Sequence, residues 1–281
     1  MRWLLNSRTW SPSSSQFSYC LSLLPTPQQD EIIRFVKFED QKRYILSRLM
    51  QQMLIHVVFN IPYKEIVISR TKEGKPYVEP CYLNASAPNV NFSVSHHGDY
   101  VALASETLCL VGLDIMGDEG NDEPEEYIKN FRSYFTVLEW DNINSAGQDG
   151  RQLLDQFHRY WCMKESYIKA VGIGIGFELR RAEFFFKDGN IWGDSPCLRL
   201  DGIERTDWHF YLFHLRDNHW VCVSKGPPGD AIESFKKTLH TINVSDVSLA
   251  HVLKQKDPAF TELTIMDIIP VATLEGQTNL I

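Results

Sequence analysis

The sequence predicts an α+β fold made of two halves packed side by side, because a helical stretch followed by strands occurs twice. Apolar residues recur at helical spacing from about residue 26 to residue 60, and again from Leu153 to Val171. Short strand-like runs follow each stretch. A polar, acidic segment at Gly117–Glu126 separates the two halves and supplies the internal boundary.

Composition is that of an ordinary globular protein. The chain has 281 residues, of which 43% are hydrophobic and 23% charged, enough for one large domain or two modest ones. The net charge of −8 argues against a nucleic-acid partner. No run approaches the roughly 18 apolar residues of a membrane span, so we expect no membrane association. Six scattered cysteines without a metal-binding spacing indicate reduced thiols and a cytosolic location.

In the first half, residues 1–24 alternate loosely and predict strands around a loop at Ser11–Ser15. Strict alternation at Val90–Ser95 and Tyr100–Ala104, joined by a Gly-containing turn, predicts a β-hairpin. Leu108–Ile115 is a further apolar strand. These features define a predicted N-terminal half at residues 1–117.

In the second half, residues 127–143 and Leu153–Val171 are predicted to be helical. The strands predicted to follow are Phe177–Phe186, Trp192–Leu200, His209–Leu215 and Trp220–Ser224. This C-terminal half is predicted to span residues 118–225. Residues 226–281, after a Gly-Pro-Pro-Gly break, form a tail that the pattern leaves unassigned.

Two carboxylates are candidates for chemistry. Asp114 ends an apolar strand just after Gly112, a position that suits a Mg²⁺ ligand or, more commonly, a turn cap. Glu165 and Lys169 are one turn apart on the second long helix, an arrangement typical of a surface ion pair. Trp161, one turn earlier on the same face, indicates partial burial, and a half-buried carboxylate and ammonium favour a functional role.

Two polar segments could hold an anion. Ser93 and Ser95 share one face of a predicted strand, and His96 could donate a hydrogen bond to phosphate, although a simple hairpin is an equal alternative. Residues 70–75 place cations around a glycine turn, which suits a phosphate-rich ligand or a solvated basic turn. Adjacent Ser95 and His96 point to opposite faces, which argues against a hydrolase dyad.

Taken together, the order of these features resembles the phosphopantetheinyl transferases of the larger, Sfp-like type, and animal members most closely. The matching segments are Gly74–Pro76, Phe92–His96, the G-[IVL]-D motif at Gly112–Asp114 and the W-x-x-K-E-[SA]-x-x-K motif at Trp161–Lys169. The resemblance extends from about Arg2 to Lys225. It implies two similar α+β halves related by pseudo-twofold symmetry, with the active site in the cleft between them.

The resemblance also implies the site residues and the reaction. Asp114 and Glu165 would bind Mg²⁺, and Glu165, Lys169 and Asp114 would be the catalytic residues. Coenzyme A, the co-substrate, would contact Arg70, Thr71, Lys72, Glu73, Gly74, Lys75, Ser93, Val94, Ser95, His96 and Glu165. The 4′-phosphopantetheine arm would pass to a serine of an apo acyl or peptidyl carrier domain, with 3′,5′-ADP released. Expected carriers are those of fatty acid synthase and aminoadipate-semialdehyde dehydrogenase, and we expect a monomer because the two halves already form the cleft.

Three positions depart from the family pattern. Met116 stands where some members have a second acidic metal ligand, and His97 replaces a glutamine that could hold a metal-bound water. Glu31 stands where relatives have a basic residue that contacts coenzyme A, with Arg34 as a possible substitute. Two other functions fit the same residues: a non-catalytic module that binds coenzyme A or a carrier, and a hydrolase that cleaves the coenzyme A pyrophosphate.

Overall fold

The computed structural model describes residues 1–83, 87–117, 123–147, 149–242, 244 and 246–269. Most of the predicted boundary at Gly117–Glu126, namely residues 118–122, lies outside the described residues, as does the tail from residue 270 onward.

The fold is α+β, as predicted. Its helices are α1 Ser14–Ser22, α2 Thr26–Ile32, α3 Phe38–Phe59, α4 Pro124–Lys129, α5 Val137–Asn144, α6 Gly150–Val171, α7 Glu233–Lys236, α8 Asp246–Lys254 and α9 Ile265–Ile268. Its strands are β1 Arg2–Asn6, β2 Ile68–Arg70, β3 Pro76–Val78, β4 Asn91–His97, β5 Tyr100–Glu106, β6 Leu110–Gly117, β7 Ala182–Phe185, β8 Cys197–Leu200, β9 Ile203–Arg205, β10 His209–Leu215, β11 His219–Gly226 and β12 Thr261–Leu263.

The first sheet has the strand order β12-β1-β5-β4. Strand β1 pairs antiparallel with β5 and parallel with β12. The long helix α3 packs on this sheet, and its buried residues Leu46, Leu49 and Met50 share a core with Phe92 and Leu103. The β4–β5 hairpin confirms the alternation seen in the sequence, since side chains of one parity face this core.

The second sheet has the order β10-β11-β6, and its strands are antiparallel. Helix α6 packs on β6 and β11, with Phe157, Tyr160 and Met163 in a second core. A small sheet, β7-β8-β9, and the hairpin β2–β3 complete the described strands. Each of the two larger sheets thus packs against a 22-residue helix, and β6, from the predicted first half, belongs to the second of these sheets. The pseudo-twofold relation between the halves stays a prediction.

The closest approach of helix to sheet is at Gly112, in the middle of β6. A Cβ at this position would lie 1.8 Å from the carbonyl oxygen of Ser166 and 2.7 Å from the amide nitrogen of Ala170. Ser166 O also accepts a hydrogen bond of 2.9 Å from the buried hydroxyl of Ser224 on β11. Only a residue without a side chain fits here, which explains the glycine two positions before Asp114.

A buried charge cluster joins the first strand to the tail. The Arg2 guanidinium donates to both oxygens of Asp257, at 2.8 and 2.6 Å, and pairs with Glu106 at 2.7 Å. Lys225 at the end of β11 lies 3.3 Å from Asp257. The side chains of Arg2 and Asp257 are fully buried, so each charge depends on the other for compensation. The described part of the tail therefore returns to the first sheet.

Several predicted elements were wrong in type or length. Residues 14–22 form helix α1 instead of strand, because Ser13 and Gln16 make a reciprocal capping box at its start. The helical stretch at 26–60 is broken between α2 and α3. The predicted strand at Phe177–Phe186 begins only at Ala182, after short 3₁₀ turns, and that at Trp192–Leu200 only at Cys197. The division of the chain at residues 117 and 225 stays a prediction.

Gly112→Ala should destabilise the protein, because the added methyl group has no room against the α6 backbone. We expect a loss of about 1–3 kcal/mol in the free energy of unfolding, seen as a fall of several degrees in Tm. Gly229→Ala is the matched control, since a Cβ there meets no atom within 4 Å. Equal melting temperatures for the two variants would contradict the close approach described here.

Candidate active site

Asp114 lies on β6 at the junction of the two halves. One carboxylate oxygen, Oδ1, accepts hydrogen bonds from the Ser95 hydroxyl at 2.8 Å and the Lys169 ammonium at 2.6 Å. The other oxygen, Oδ2, is buried and has no hydrogen-bond partner among the described residues. A buried carboxylate oxygen without a donor is costly, so this atom indicates a position for a ligand.

Glu165 and Lys169 project from the same face of α6, one turn apart. The Lys169 ammonium joins the halves, since it also donates to the Ser95 hydroxyl on β4 at 2.9 Å. Burial and then the nearby charge of Asp114 raise the pKa of Glu165, while Lys169 acts in the opposite direction. Two carboxylates and one ammonium are therefore close enough to influence one another, as predicted from the motifs.

A cavity of about 490 Å³ lies beside this cluster and takes its walls from both halves. Its polar and turn-forming wall residues include Arg70, Glu73, Gly74, Lys75, Ser93, Glu165 and Lys169. Its apolar wall residues include Val94, Tyr134, Trp161, Ile168, Ile175, Phe177 and Leu179. The cavity therefore combines a polar wall with an apolar one, as a site for an amphipathic ligand requires.

The turn between β2 and β3 forms part of the polar wall. Thr71 closes it by exchanging hydrogen bonds with Lys75, while the Gly74 amide donates to Thr71 O at 2.9 Å. Gly74 has a φ of 93°, a conformation that side chains other than glycine disfavour. The Arg70 guanidinium donates to Gly74 O at 2.9 Å. The basic turn predicted from the sequence is thus ordered and faces the cavity.

The side chain of Lys75 extends from the β2–β3 turn into the protein interior. Its buried ammonium donates to the backbone carbonyls of Val111 at 3.0 Å and Lys169 at 2.6 Å. Burial, and then the charge of Lys169, lower the pKa of Lys75 to about 7. The side chain thus ties the turn to β6 and α6, a role that the sequence did not suggest, because lysine in a turn is usually solvated.

The β4 residues show different surroundings. Ser93 donates to Leu113 O at 3.3 Å, and Ser95 belongs to the Asp114 cluster. The His96 ring keeps an exposed surface, yet partial desolvation, Arg43 and Lys169 all lower its pKa, so we expect it neutral at pH 7. A neutral imidazole still has one N–H to donate.

Some predicted ligands lie outside the cavity wall. Thr71 and Lys72 face a neighbouring cavity, which they share with Arg70, and the Lys72 side chain is 81% exposed. The contacts of these residues with coenzyme A stay predictions, as do those assigned to residues 73–75 and 93–96. The structure brings Asp114, Ser95, Glu165 and Lys169 together with the turn.

The departures from the family pattern also have places in the structure. The His97 ring packs at 5.7 Å from that of His219, and Met116 packs against the second core. Glu31 accepts a hydrogen bond of 2.7 Å from the Tyr44 hydroxyl and lies 3.9 Å from Arg48. Arg34 is exposed.

The sequence did not predict most of the apolar wall, part of which lies on the loop after α6. Gly172 and Gly174 have φ values of 79° and 69°, and they turn the chain so that Ile175 and Phe177 reach the cavity. The alternating glycines of residues 172–176 were the available signal, although they were interpreted only as a helix stop.

Lys164, the first lysine of the W-x-x-K-E-[SA]-x-x-K motif, has a structural role that the sequence did not predict. Its ammonium lies 2.9 Å from Glu139, and both side chains are fully buried. It donates further hydrogen bonds to Leu179 O at 2.9 Å and Ala182 O at 2.7 Å. Burial lowers the pKa of Lys164 and raises that of Glu139, and the attraction between the two groups opposes both shifts. The pair fixes α6 to the loop that forms the apolar wall.

Comparison with known families agrees with this geometry. Residues 8–108 match the family model described as 4′-phosphopantetheinyl transferase, N-terminal, and residues 110–224 match that of the 4′-phosphopantetheinyl transferase superfamily. The chain belongs to the phosphopantetheinyl transferases, a family of enzymes.

The chain is also similar to individual members of this family over most of its length. The chain is 34% identical over 278 residues to the mouse L-aminoadipate-semialdehyde dehydrogenase-phosphopantetheinyl transferase, covering 92% of this chain and 89% of the relative. The human protein of the same name is 33% identical with the same coverage. A phosphopantetheinyl transferase of Thraustochytrium is 32% identical over 229 residues, which cover 79% of this chain and 77% of the relative.

Lys164→Met should destabilise the protein strongly, because it leaves Glu139 charged and unpaired in the core. Breaking one side of a buried pair costs about 3–5 kcal/mol, which denaturant unfolding would measure. Lys187→Met removes an exposed pair with Glu204 and should leave the stability nearly unchanged, because water screens such a pair. A loss for Lys164→Met no larger than that of the control would contradict a structural role for the buried pair.

Proposed function

We propose that this protein transfers the 4′-phosphopantetheine arm of coenzyme A to a serine of an apo carrier domain, with Mg²⁺ bound at Asp114 and Glu165. The observation that carries the proposal is the Asp114 cluster beside the cavity. One Asp114 oxygen is held by Ser95 and Lys169, and the other is buried without a donor. Leaving a buried carboxylate oxygen without a donor is costly, and a bound cation would remove that cost.

The donor set fits a hard divalent cation. Asp114 and Glu165 offer carboxylate oxygens, which Mg²⁺ prefers, together with water and phosphate oxygens. Burial and then the charge of Asp114 raise the pKa of Glu165, and a cation bound between the two carboxylates would offset their repulsion. No group of three or more His, Cys, Asp or Glu side chains is assembled for a metal in the described ranges. We propose that Asp114 and Glu165 supply the two carboxylates that bind the cation.

When bound, Mg²⁺ would neutralise charge on the pyrophosphate and on the departing 3′,5′-ADP. The chain's own cations would add to this from two sides of the cavity. Lys169, already oriented by Asp114 and Ser95, would donate to an oxygen of the transferred phosphoryl group. Arg70, at the edge of the β2–β3 turn, would bind a second phosphate, because its guanidinium presents several donors.

Glu165 is the proposed base for the carrier serine. Glu165 lines the cavity wall, from which its carboxylate would reach the hydroxyl of a serine that enters the cavity. The serine oxygen would attack the phosphorus on the pantetheine side, and its proton would pass to Glu165 directly or through a water. The bond between this phosphorus and the bridging oxygen of the departing 3′,5′-ADP would break on the side opposite the attacking serine oxygen.

The apolar wall suits the pantetheine arm. This arm is long and mostly uncharged, and Trp161, Ile168 and Phe177 offer it a surface beside the charged wall. The carrier would be an acidic, helical domain such as those of fatty acid synthase and aminoadipate-semialdehyde dehydrogenase. We propose further that the protein acts as a monomer in the cytosol. No helix in the described ranges is long and apolar enough to cross a membrane.

One assay separates transfer from its two alternatives. Apo carrier, coenzyme A and Mg²⁺ are incubated with the protein, and the carrier is weighed by mass spectrometry. A gain of one phosphopantetheine supports transfer. Retained coenzyme A with unmodified carrier supports a binding module, whereas free phosphopantetheine with unmodified carrier supports a hydrolase.

Glu165→Gln should keep the fold and lose at least about 100-fold in kcat, because the base is removed and the metal is weakened. Glu204→Gln, at an exposed pair, is the control. Near-normal turnover of Glu165→Gln would remove this residue from the mechanism.

Asp114→Asn should raise the Mg²⁺ concentration needed for half-maximal activity by at least about tenfold, because one of two anionic ligands is lost. Titration of activity against Mg²⁺, with circular dichroism as a check of folding, measures this. Asp201→Asn, which alters an exposed pair with Arg181, serves as control. An unchanged metal titration would place the cation elsewhere.

A further inference from the structure

The segment after β11 crosses the back of the site and is not part of either predicted half. We refer to residues 231–241 as the strap. The strap starts at the end of α6, where the Ile232 amide donates to Val171 O at 3.1 Å. Phe235 is fully buried, and its ring lies 3.1 Å from where a Cβ of Gly172 would stand. Its ring centroid is 5.2 Å from the Lys75 ammonium. The strap therefore contacts both the site helix and the residue that anchors the β2–β3 turn.

The far end of the strap is fixed to the segment that leads into β4. The Asn89 side-chain amide donates to Thr241 O at 2.6 Å, and its oxygen accepts from the Thr241 amide at 2.9 Å. The His240 amide donates to Pro88 O at 3.1 Å. Because Asn89 is fully buried, these bonds are shielded from water and hold the strap across both halves.

Between these anchors, the strap contacts the only acidic residue of the basic turn at positions 70–75. The Ser234 hydroxyl donates to Glu73 Oε2. On its other side, Glu73 is bounded by the loop after α6, since a Cβ at Gly174 would lie 3.1 Å from Glu73 O. Glu73 also pairs with Lys72 at 3.4 Å. This carboxylate is thus held by the strap while its residue lines the cavity.

A negative side chain beside a turn that binds phosphate would weaken the affinity of the turn for an anionic ligand. A freely rotating Glu73 could approach the pyrophosphate or pair with Arg70, and either event would oppose binding of an anion. The hydrogen bond from Ser234 lowers the pKa of Glu73 against the effect of partial desolvation, so the group stays ionised at neutral pH. The repulsion between the Glu73 carboxylate and a bound anion can then be limited only by restraining the position of that carboxylate.

We propose that Ser234 is a positioning residue that holds the Glu73 carboxylate in place and thereby sets the affinity of the β2–β3 turn for coenzyme A. This rests on the proposed function. The strap acts on the binding of the nucleotide and not on phosphoryl transfer, because the Asp114 cluster has no contact with Ser234 among the hydrogen bonds of the described residues.

Ser234→Ala should raise KM for coenzyme A by about fivefold to tenfold and leave kcat within about twofold, because one hydrogen bond to a charged group is lost. Calorimetric binding of coenzyme A to the full chain should weaken by the same factor. Ser234→Thr should restore both values. Ser195→Ala, which removes a hydroxyl bonded to the exposed Asp194, is the matched control and should change neither.

The decisive test is the double variant. In a Glu73→Gln background, Ser234→Ala should have an effect of less than about twofold on KM, since no charge remains to be restrained. A merely structural role of Ser234 would give the same loss in both backgrounds, together with a lower Tm, and would overturn the proposal. If unchanged protein modifies the carrier but Ser234→Ala leaves KM unaltered, only this proposal fails. If unchanged protein neither binds coenzyme A nor modifies the carrier, the proposed function fails and this proposal with it.

Discussion

The approach of α6 to β6 at Gly112 is the constraint on which the site depends. With a carbonyl oxygen of the helix in the space that a side chain would occupy, the strand and the helix backbone are in direct contact. Asp114 is two residues along the strand from this contact, and Lys169 is three residues along the helix from Ser166. Backbone packing therefore brings the two side chains into reach of each other, and the hydrogen bonds of Lys169 with Asp114 and Ser95 set the final distance.

The same packing explains how several charges coexist in one half-buried region. Lys169 is held by Asp114 and Ser95, and Lys75 by two backbone carbonyls. Lys75 has no carboxylate partner among the described residues, and burial depresses its pKa to about 7. The site thus carries an excess of hydrogen-bond donors, together with two carboxylates that repel each other. Such an arrangement is expensive in isolation, and the proposed binding of an anion together with a cation would relieve that cost.

The features that the sequence predicted well have strong local signals. Strict alternation predicted β4 and β5, and helical periodicity ended by glycine predicted α6. The motif residues Asp114 and Lys169 are hydrogen-bonded to each other, while the roles assigned to them and to Glu165 stay predictions. Helix α1 was missed although its capping pattern, Ser13 with Gln16, is visible in the sequence, because the neighbouring aromatics suggested strand. The buried position of Lys75 could not be inferred from the sequence, because its partner Val111 lies 36 positions further along the chain. The buried pair of Lys164 could not be inferred either, because its partner Glu139 lies on a different helix.

Strand β12 has a consequence for the first sheet beyond its small size. It pairs in parallel with β1, whose other edge is occupied by β5, so the central residues Trp3–Leu5 of β1 have a neighbouring strand on both sides. Without β12, β1 would present an open row of amide and carbonyl groups, the kind of edge at which separate molecules join into aggregates. The described end of the tail thus acts as a shield for the sheet. Solubility, and not only folding, is then linked to residues about 260 positions from the strand that they protect.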